Sequence, residues 1–226
     1  MLMSEANKMI VWGVGTTRTL RVHWMLHELG LSYETRRIES RTGETQADEY
    51  VALNPKQKIP TLQDGELVLS ESTAIMRHLR RISDTLPYDD YQLSLAGQAA
   101  YDEWLSFMLM ELDATSLYVI RRHKDLFKIY GKADNAVSSS VTYFERMLDA
   151  VMDRIEGQTY LWGSTFSEID MHMSILLEWG RAVGAEIPAA ATAYQQPIKA
   201  RPAYRAAAKL NFSNLQIQTV RPDPSD

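Results

Sequence analysis

The 226-residue sequence contains no cysteine. That absence excludes disulfides, thiolate-held zinc and a nucleophilic protein thiol, and it is compatible with a reducing compartment. Positive charge is not in excess either: 24 Lys and Arg face 29 Asp and Glu, a formal net charge of -5. Phosphate backbones are held by basic surfaces, so a nucleic-acid partner is not expected. No run approaches the ~18 apolar residues of a membrane-spanning helix, so no membrane partner is expected. Residues 1–10 carry Glu5, Asn7 and Lys8 and lack the apolar stretch and cleavage site of a signal peptide. No internal repeat is visible. These absences lead to the expectation of a globular cytoplasmic protein.

Apolar residues make up 45% of the chain, enough for a core, and the length allows two modest domains. Met9-Ile10-Val11-Trp12 reads as a short buried strand ending at Gly13-Val14-Gly15. A helix follows, with Thr16 or Thr17 as N-cap and Gly30 as its stop. Val22, Met25, Leu26 and Leu29 share one face of it. Residues 31–38 form a weaker strand candidate, and residues 40–52 are polar with little periodicity. Two short strands around Asp64-Gly65 read as a hairpin. A helix over 70–83 then turns Ile75, Met76, Leu79 and Ile82 inward. The rest is helical, with apolar stripes through Trp104, Phe107, Met108 and Leu112 and through Val141, Phe144, Leu148, Val151 and Ile155. The helix over 167–180 is apolar almost all round, as a buried central helix is. The expected division is an α/β domain over 1–84, a linker over 85–91, an all-helical domain over 92–220 and a disordered tail over 221–226.

Chemistry concentrates between residues 54 and 73. Ile59-Pro60 opens a strand, where a proline donates no ladder hydrogen bond. Ser70-Glu71-Ser72-Thr73 sits between a strand and a helix, where free N–H groups and the positive dipole end attract a carboxylate. Ser72 can bond the same carboxylate and Glu71 can hold an ammonium; helix capping is the simpler role for the same residues. Together they suit the α-amino-acid end of a ligand. Ser167 and Asp170 have capping-box spacing and read as structural. His23 and His27 lie one turn apart, but no intervening Glu or third ligand accompanies them, so no metal is expected.

Asn54-Pro55-Lys56-Gln57-Lys58-Ile59-Pro60-Thr61-Leu62 followed by Glu71-Ser72-Thr73-Ala74-Ile75 resembles the glutathione-binding segment of the glutathione transferase family. Residues 13–31 resemble the first helix of many bacterial members, and Phe166-Ser167-Glu168-Ile169-Asp170 resembles the cap of the family's buried helix. The resemblance covers about residues 9–210. It implies a thioredoxin-like α/β N-terminal domain and an all-α C-terminal bundle. It further implies glutathione as co-substrate, with Ile59 offering backbone bonds beside a cis Pro60, Glu71 and Ser72 at the γ-glutamyl end and Lys58 at the glycine carboxylate. Many relatives have Gly where this chain has Gln57. A family serine that activates the sulfur precedes an arginine by four residues, the relation of Thr17 to Arg21; Thr16 is the alternative. Trp12, Trp104 and Phe107 become candidates for the wall of a pocket that takes a hydrophobic electrophile. Dimerisation of two copies is the family expectation. The implied activity is conjugation of the glutathione thiolate. A cysteine-free reductase of disulfides or peroxides and a non-catalytic regulatory module are the alternatives.

Overall fold

A computed structural model describes residues 9–83 and 94–213. The linker expected over 85–91 and the tail expected over 221–226 lie outside the described residues. The chain forms two compact units, one from the described residues of Met1–Ser83 and Pro202–Asp226, the other from those of Asp84–Arg201.

In the first unit, β1 (Met9–Trp12) leads into α1 (Thr17–Leu29), then β2 (Glu34–Arg36), α2 (Asp48–Leu53), β3 (Thr61–Asp64), β4 (Leu67–Ser70) and α3 (Ser72–Arg81). The strands make one sheet in the order β2-β1-β3-β4. Strand β1 runs parallel to β2 and antiparallel to β3, and β3 pairs antiparallel with β4. This is the expected thioredoxin-like α/β domain. The apolar face of α1 is buried as its spacing predicts, with Val22, Met25 and Leu26 fully inaccessible. Each such side chain contributes roughly 1.5–3 kcal/mol of burial. Gly30 closes the helix in the left-handed conformation.

Several local expectations are revised. Residues 40–52 are not irregular: a 3-10 turn at Glu44–Gln46 precedes α2. Six helical residues are too few to show a period, and α2 is held instead by one fully buried aromatic, Tyr50. The hairpin loop is Gly65-Glu66, with Asp64 opposite Leu67 in the ladder. Ile82 is 48% exposed because α3 ends at Arg81, so its inward spacing no longer applies.

The second unit is helical. α4 (Leu95–Phe107) continues through wider π-helical turns at Met108–Leu117, the short α5 (Tyr118–Ile120) and a second π-helical stretch at Arg121–Asp125. α6 (Phe127–Tyr130), α7 (Asp134–Asp149), α8 (Glu168–Val183) and α9 (Ala189–Lys199) follow. Val151 and Ile155 are buried but lie beyond the end of α7. α8 is buried over most of its circumference, as expected. Asp170 does more there than close a capping box. Its Oδ2 accepts from the N–H and hydroxyl of Ser167 at 2.8 and 3.1 Å. Its Oδ1 accepts from the Leu161 N–H and the Tyr194 hydroxyl at 2.8 and 2.7 Å.

The last helix, α10 (Pro202–Phe212), departs from the expected division at 92–220. It groups with the first unit because it packs on α1: Tyr204 meets the Trp24 ring edge-on with centroids 4.8 Å apart. Sequence order alone had grouped it with the preceding helices. No described helix is long and apolar enough to cross a membrane.

Candidate functional site

Strand register brings three separate segments to one end of the sheet. Trp12 pairs with Thr61, and Thr61 pairs with Ser70. The turn after β1, the residues before β3 and the residues after β4 therefore leave the sheet side by side. These are residues 13–17, Ile59-Pro60 and Glu71-Ser72. The sequence signals of the α/β unit converge there.

The middle segment is the most constrained. The Ile59-Pro60 bond is cis. A ring of side chains fixes the approach to it. Tyr50 Oη donates to the Lys58 carbonyl at 2.6 Å, and Asn54 Nδ2 donates to the same carbonyl at 2.8 Å and to Thr61 Oγ1 at 3.0 Å. Because the Tyr50 proton goes to Lys58, the Thr61 hydroxyl donates back to Tyr50 at 2.9 Å. Burial raises the Tyr50 phenol above its ordinary value, which keeps it a donor. Among the described residues, no hydrogen bond engages the backbone N–H or C=O of Ile59. Its side chain lies against Gly13: a Cβ added at Gly13 would come within 2.5 Å of Ile59 Cβ. Gly13 also has φ 110, so both space and backbone demand glycine. Gln57, where many relatives have glycine, adopts φ 53, the left-handed conformation that glycine tolerates best.

The third segment leaves a helix end open. Glu71 is the N-cap of α3 at φ 75, and its side chain makes no capping bond. Its carboxylate instead meets Lys56 Nζ at 2.7 Å in an exposed ion pair. Ser72 is only 5% exposed, yet its hydroxyl engages no hydrogen bond among the described residues. Lys58 is exposed, with no ion pair among the described residues. A buried hydroxyl at a helix N-terminus, flanked by an acid and a lysine, can receive a carboxylate and an ammonium on one carbon.

The first segment separates the two threonines. Thr16 is the N-cap of α1, its Oγ1 accepting from the Thr19 N–H at 3.0 Å while Thr19 Oγ1 accepts from the Thr16 N–H at 3.0 Å. Thr17 is the first helical residue, half-buried, and its hydroxyl has no hydrogen bond among the described residues. The hydroxyl at position 16 thus serves the backbone, whereas that at 17 stays available beside a helix N-terminus. Arg21 is buried one turn below. His23 Nε2 donates to the Gly13 carbonyl at 3.0 Å and Nδ1 accepts from Tyr33 at 2.9 Å, so the ring links this turn to Tyr33. Burial lowers His23 to about 4 and raises Tyr33 to about 12. Among the described residues no cluster suited to a metal is present.

Of the pocket candidates, Trp12 ends β1 beside this corner, and Trp104 and Phe107 belong to the helical unit. Trp12 Nε1 donates to Gln63 at 2.5 Å, and the ring packs on Tyr50 with centroids 5.7 Å apart. Trp104, on the predicted apolar stripe and also a pocket candidate, is 1% exposed with Arg154 stacked 4.0 Å above its ring, and is a core residue of the helical unit. Phe107 is half-buried and meets Trp104 edge-on. Sequence reasoning missed Tyr50, Thr61 and Asn211. Thr16-x-x-Thr19 has the spacing of a capping box and could have been read. Asn211, whose side chain bonds Thr19 across 192 positions, carries no local signal.

A family model for the glutathione S-transferase N-terminal domain matches residues 7–81. Glutathione S-transferase F4 of Arabidopsis thaliana is 27% identical over 160 residues, covering 70% of this chain and 65% of the relative. The match thus spans slightly under two thirds of that relative's length. Solved structures share the fold. Ure2p in complex with glutathione aligns at TM-score 0.75 with 20% identity, covering 92% of this chain and 96% of that one. The nitrogen regulation fragment of the yeast prion protein Ure2p aligns at TM-score 0.76 with 20% identity, covering 92% and 99%. Residues 7–81, which hold the sheet and the cis-proline corner, belong to the glutathione S-transferase N-terminal domain family.

Proposed function

We propose that this protein binds glutathione at the cis-proline corner and activates its thiol with Thr17 for attack on an electrophilic small molecule. One observation carries the reading. Three segments at one sheet end each keep a suitable polar group unengaged among the described residues: the Thr17 hydroxyl, the Ile59 backbone and the Ser72 hydroxyl. In this reading the α3 N-terminus and Ser72 take the γ-glutamyl carboxylate. Glu71 exchanges Lys56 for the γ-glutamyl ammonium, Ile59 bonds the cysteinyl backbone, and Lys58 faces the glycine carboxylate. Thr17 Oγ1 donates to the sulfur, and the positive end of α1 adds to its field. Both favour the thiolate. The thiol proton passes to water, the sulfur forms a bond to the electrophilic carbon, and the leaving group departs with its electron pair. A homodimer in the cytoplasm with a role in detoxification belongs to the same reading.

Conjugation of an aromatic halide tests it. Thr17→Ala should lower kcat/KM by about a hundredfold, the scale of losing one donor to a reacting anion, with glutathione affinity nearly unchanged. Turnover of a mixed disulfide without conjugation would favour a reductase. The shared fold of a nitrogen regulation fragment favours a second reading, a glutathione-binding module without turnover. Glutathione binding by calorimetry with neither activity would select it, and no binding at millimolar concentration would overturn all three.

A further inference from the structure

The turn that carries Thr17 is held by a residue from the far end of the chain. Asn211 of α10 is 1% exposed. Its Nδ2 donates to the Thr16 carbonyl at 3.0 Å. Its Oδ1 accepts from Thr19 Oγ1 at 2.7 Å and from the Gly15 N–H at 3.2 Å, and its own carbonyl accepts from the same N–H at 3.0 Å. Thr19 Oγ1 has one proton and several neighbours. The Thr16 carbonyl, at 2.8 Å, already receives the Leu20 N–H and Asn211 Nδ2. Asn211 Oδ1 is the nearer acceptor and takes the proton. Thr19 Oγ1 is then free to accept from both the N–H and the hydroxyl of Thr16, at 3.0 Å each. The amide thus engages the Gly15 N–H, the Thr16 carbonyl and the Thr19 hydroxyl, and the Thr19 hydroxyl in turn engages Thr16, while the Thr17 hydroxyl has no partner among the described residues.

We infer that Asn211 is a positioning residue for the Thr17 hydroxyl: its side-chain amide fixes the backbone of residues 15–16 and the hydroxyl orientations of Thr16 and Thr19, and so holds Thr17 toward the ligand sulfur. The inference rests on the proposed function of Thr17. Docking of α10 does not depend on this amide, because Tyr204 and Ala207 on the same face are buried against the unit independently. The polar and apolar contributions of α10 are therefore separable by substitution.

Asn211→Asp keeps the shape and the Oδ1 acceptor but turns an oxygen toward the Thr16 carbonyl and adds negative charge beside the expected thiolate. Thr19→Val removes the same link from the other side. The test is ultraviolet titration of glutathione bound to the full chain, with affinity measured at acid pH, where the thiol is neutral. Wild type should form the thiolate near neutral pH. Both variants should raise the apparent pKa of the bound thiol by about one unit, which lowers thiolate and kcat/KM at neutral pH about tenfold. Affinity for the neutral thiol form should change less than twofold. Tyr204→Leu, which loosens α10 docking, should lower stability and leave the titration in place. An unshifted titration in both variants, or an equal shift in Tyr204→Leu, would overturn the inference. If Asn211→Asp does not fold, the Thr19→Val titration decides alone. A wild type that binds glutathione without forming thiolate would overturn the proposed role of Thr17, and this inference with it.

Discussion

At the start of α8, Asp170 accepts four hydrogen bonds from Ser167, Leu161 and Tyr194. At the start of α3, neither the Glu71 side chain nor the Ser72 hydroxyl makes a capping bond. Both sites pair a serine with an acid at a helix N-terminus, and both could be read from sequence as caps. The difference lies in what satisfies the helix end. In α8 the protein closes its own helix, and burial raises the Asp170 carboxyl while the four bonds hold it down. In α3 the Glu71 side chain and the Ser72 hydroxyl leave the helix end without a side-chain cap. In the proposed function that difference separates a helix end kept for a ligand from one that serves folding.

Substitutions can break this contrast or sharpen it. The largest effect is expected at the closed end. Asp170→Ala strands the buried Leu161 N–H and Tyr194 hydroxyl and should cost about 4 kcal/mol of stability. Differential scanning calorimetry should show a fall in Tm of about 10 °C, while the folded fraction keeps its glutathione affinity. A fall in affinity larger than the fall in stability would break the contrast.

The next effect concerns the turn after β1, which is anchored from below by a neutral histidine. His23 falls from 6.5 in the unfolded chain to about 4 in the fold. A depressed value means that the unfolded chain binds the proton first. The stabilisation is complete above pH 6.5 and is lost progressively as pH falls to about 4. The difference is on the order of 3 kcal/mol. Urea denaturation across that window should show a shallower pH slope in His23→Asn than in wild type.

At the open end, Ser72→Ala should leave stability within about 0.5 kcal/mol, because no intramolecular bond is lost. It should weaken glutathione about tenfold, the scale of one hydrogen bond to a charged group. Isothermal titration calorimetry checks this directly. A large loss of stability instead would make Ser72 a cap like Ser167. The smallest effect is expected at Gln57. Gln57→Gly should stabilise the chain by between about 0.5 and 1 kcal/mol, read as a rise in the urea midpoint, because it removes a left-handed side chain.

The sequence was informative wherever a pattern repeats locally. The stripe of α1 names Val22, Met25 and Leu26 before any coordinates do, and Ile59-Pro60 with Glu71-Ser72 names the corner. Legibility ends where one contact replaces a pattern. α2 has a single buried anchor, Tyr50, and six residues show no period. Ile82 keeps the helical spacing but follows the last helical residue. Trp104 fits both an apolar helical stripe and a pocket wall, and packing puts it in the core. Thr16 and Thr17 are equivalent as letters. They differ once Thr19 and Asn211 engage the first and leave the second.

That last contact has a consequence for how the molecule is made. The turn of residues 15–19 is translated before its hydrogen-bond partner, which lies 192 positions after Thr19. Thr17 reaches its final surroundings only after Asn211 has been made. A polypeptide interrupted before residue 202 would carry every residue named for glutathione and still lack the helix that completes the turn.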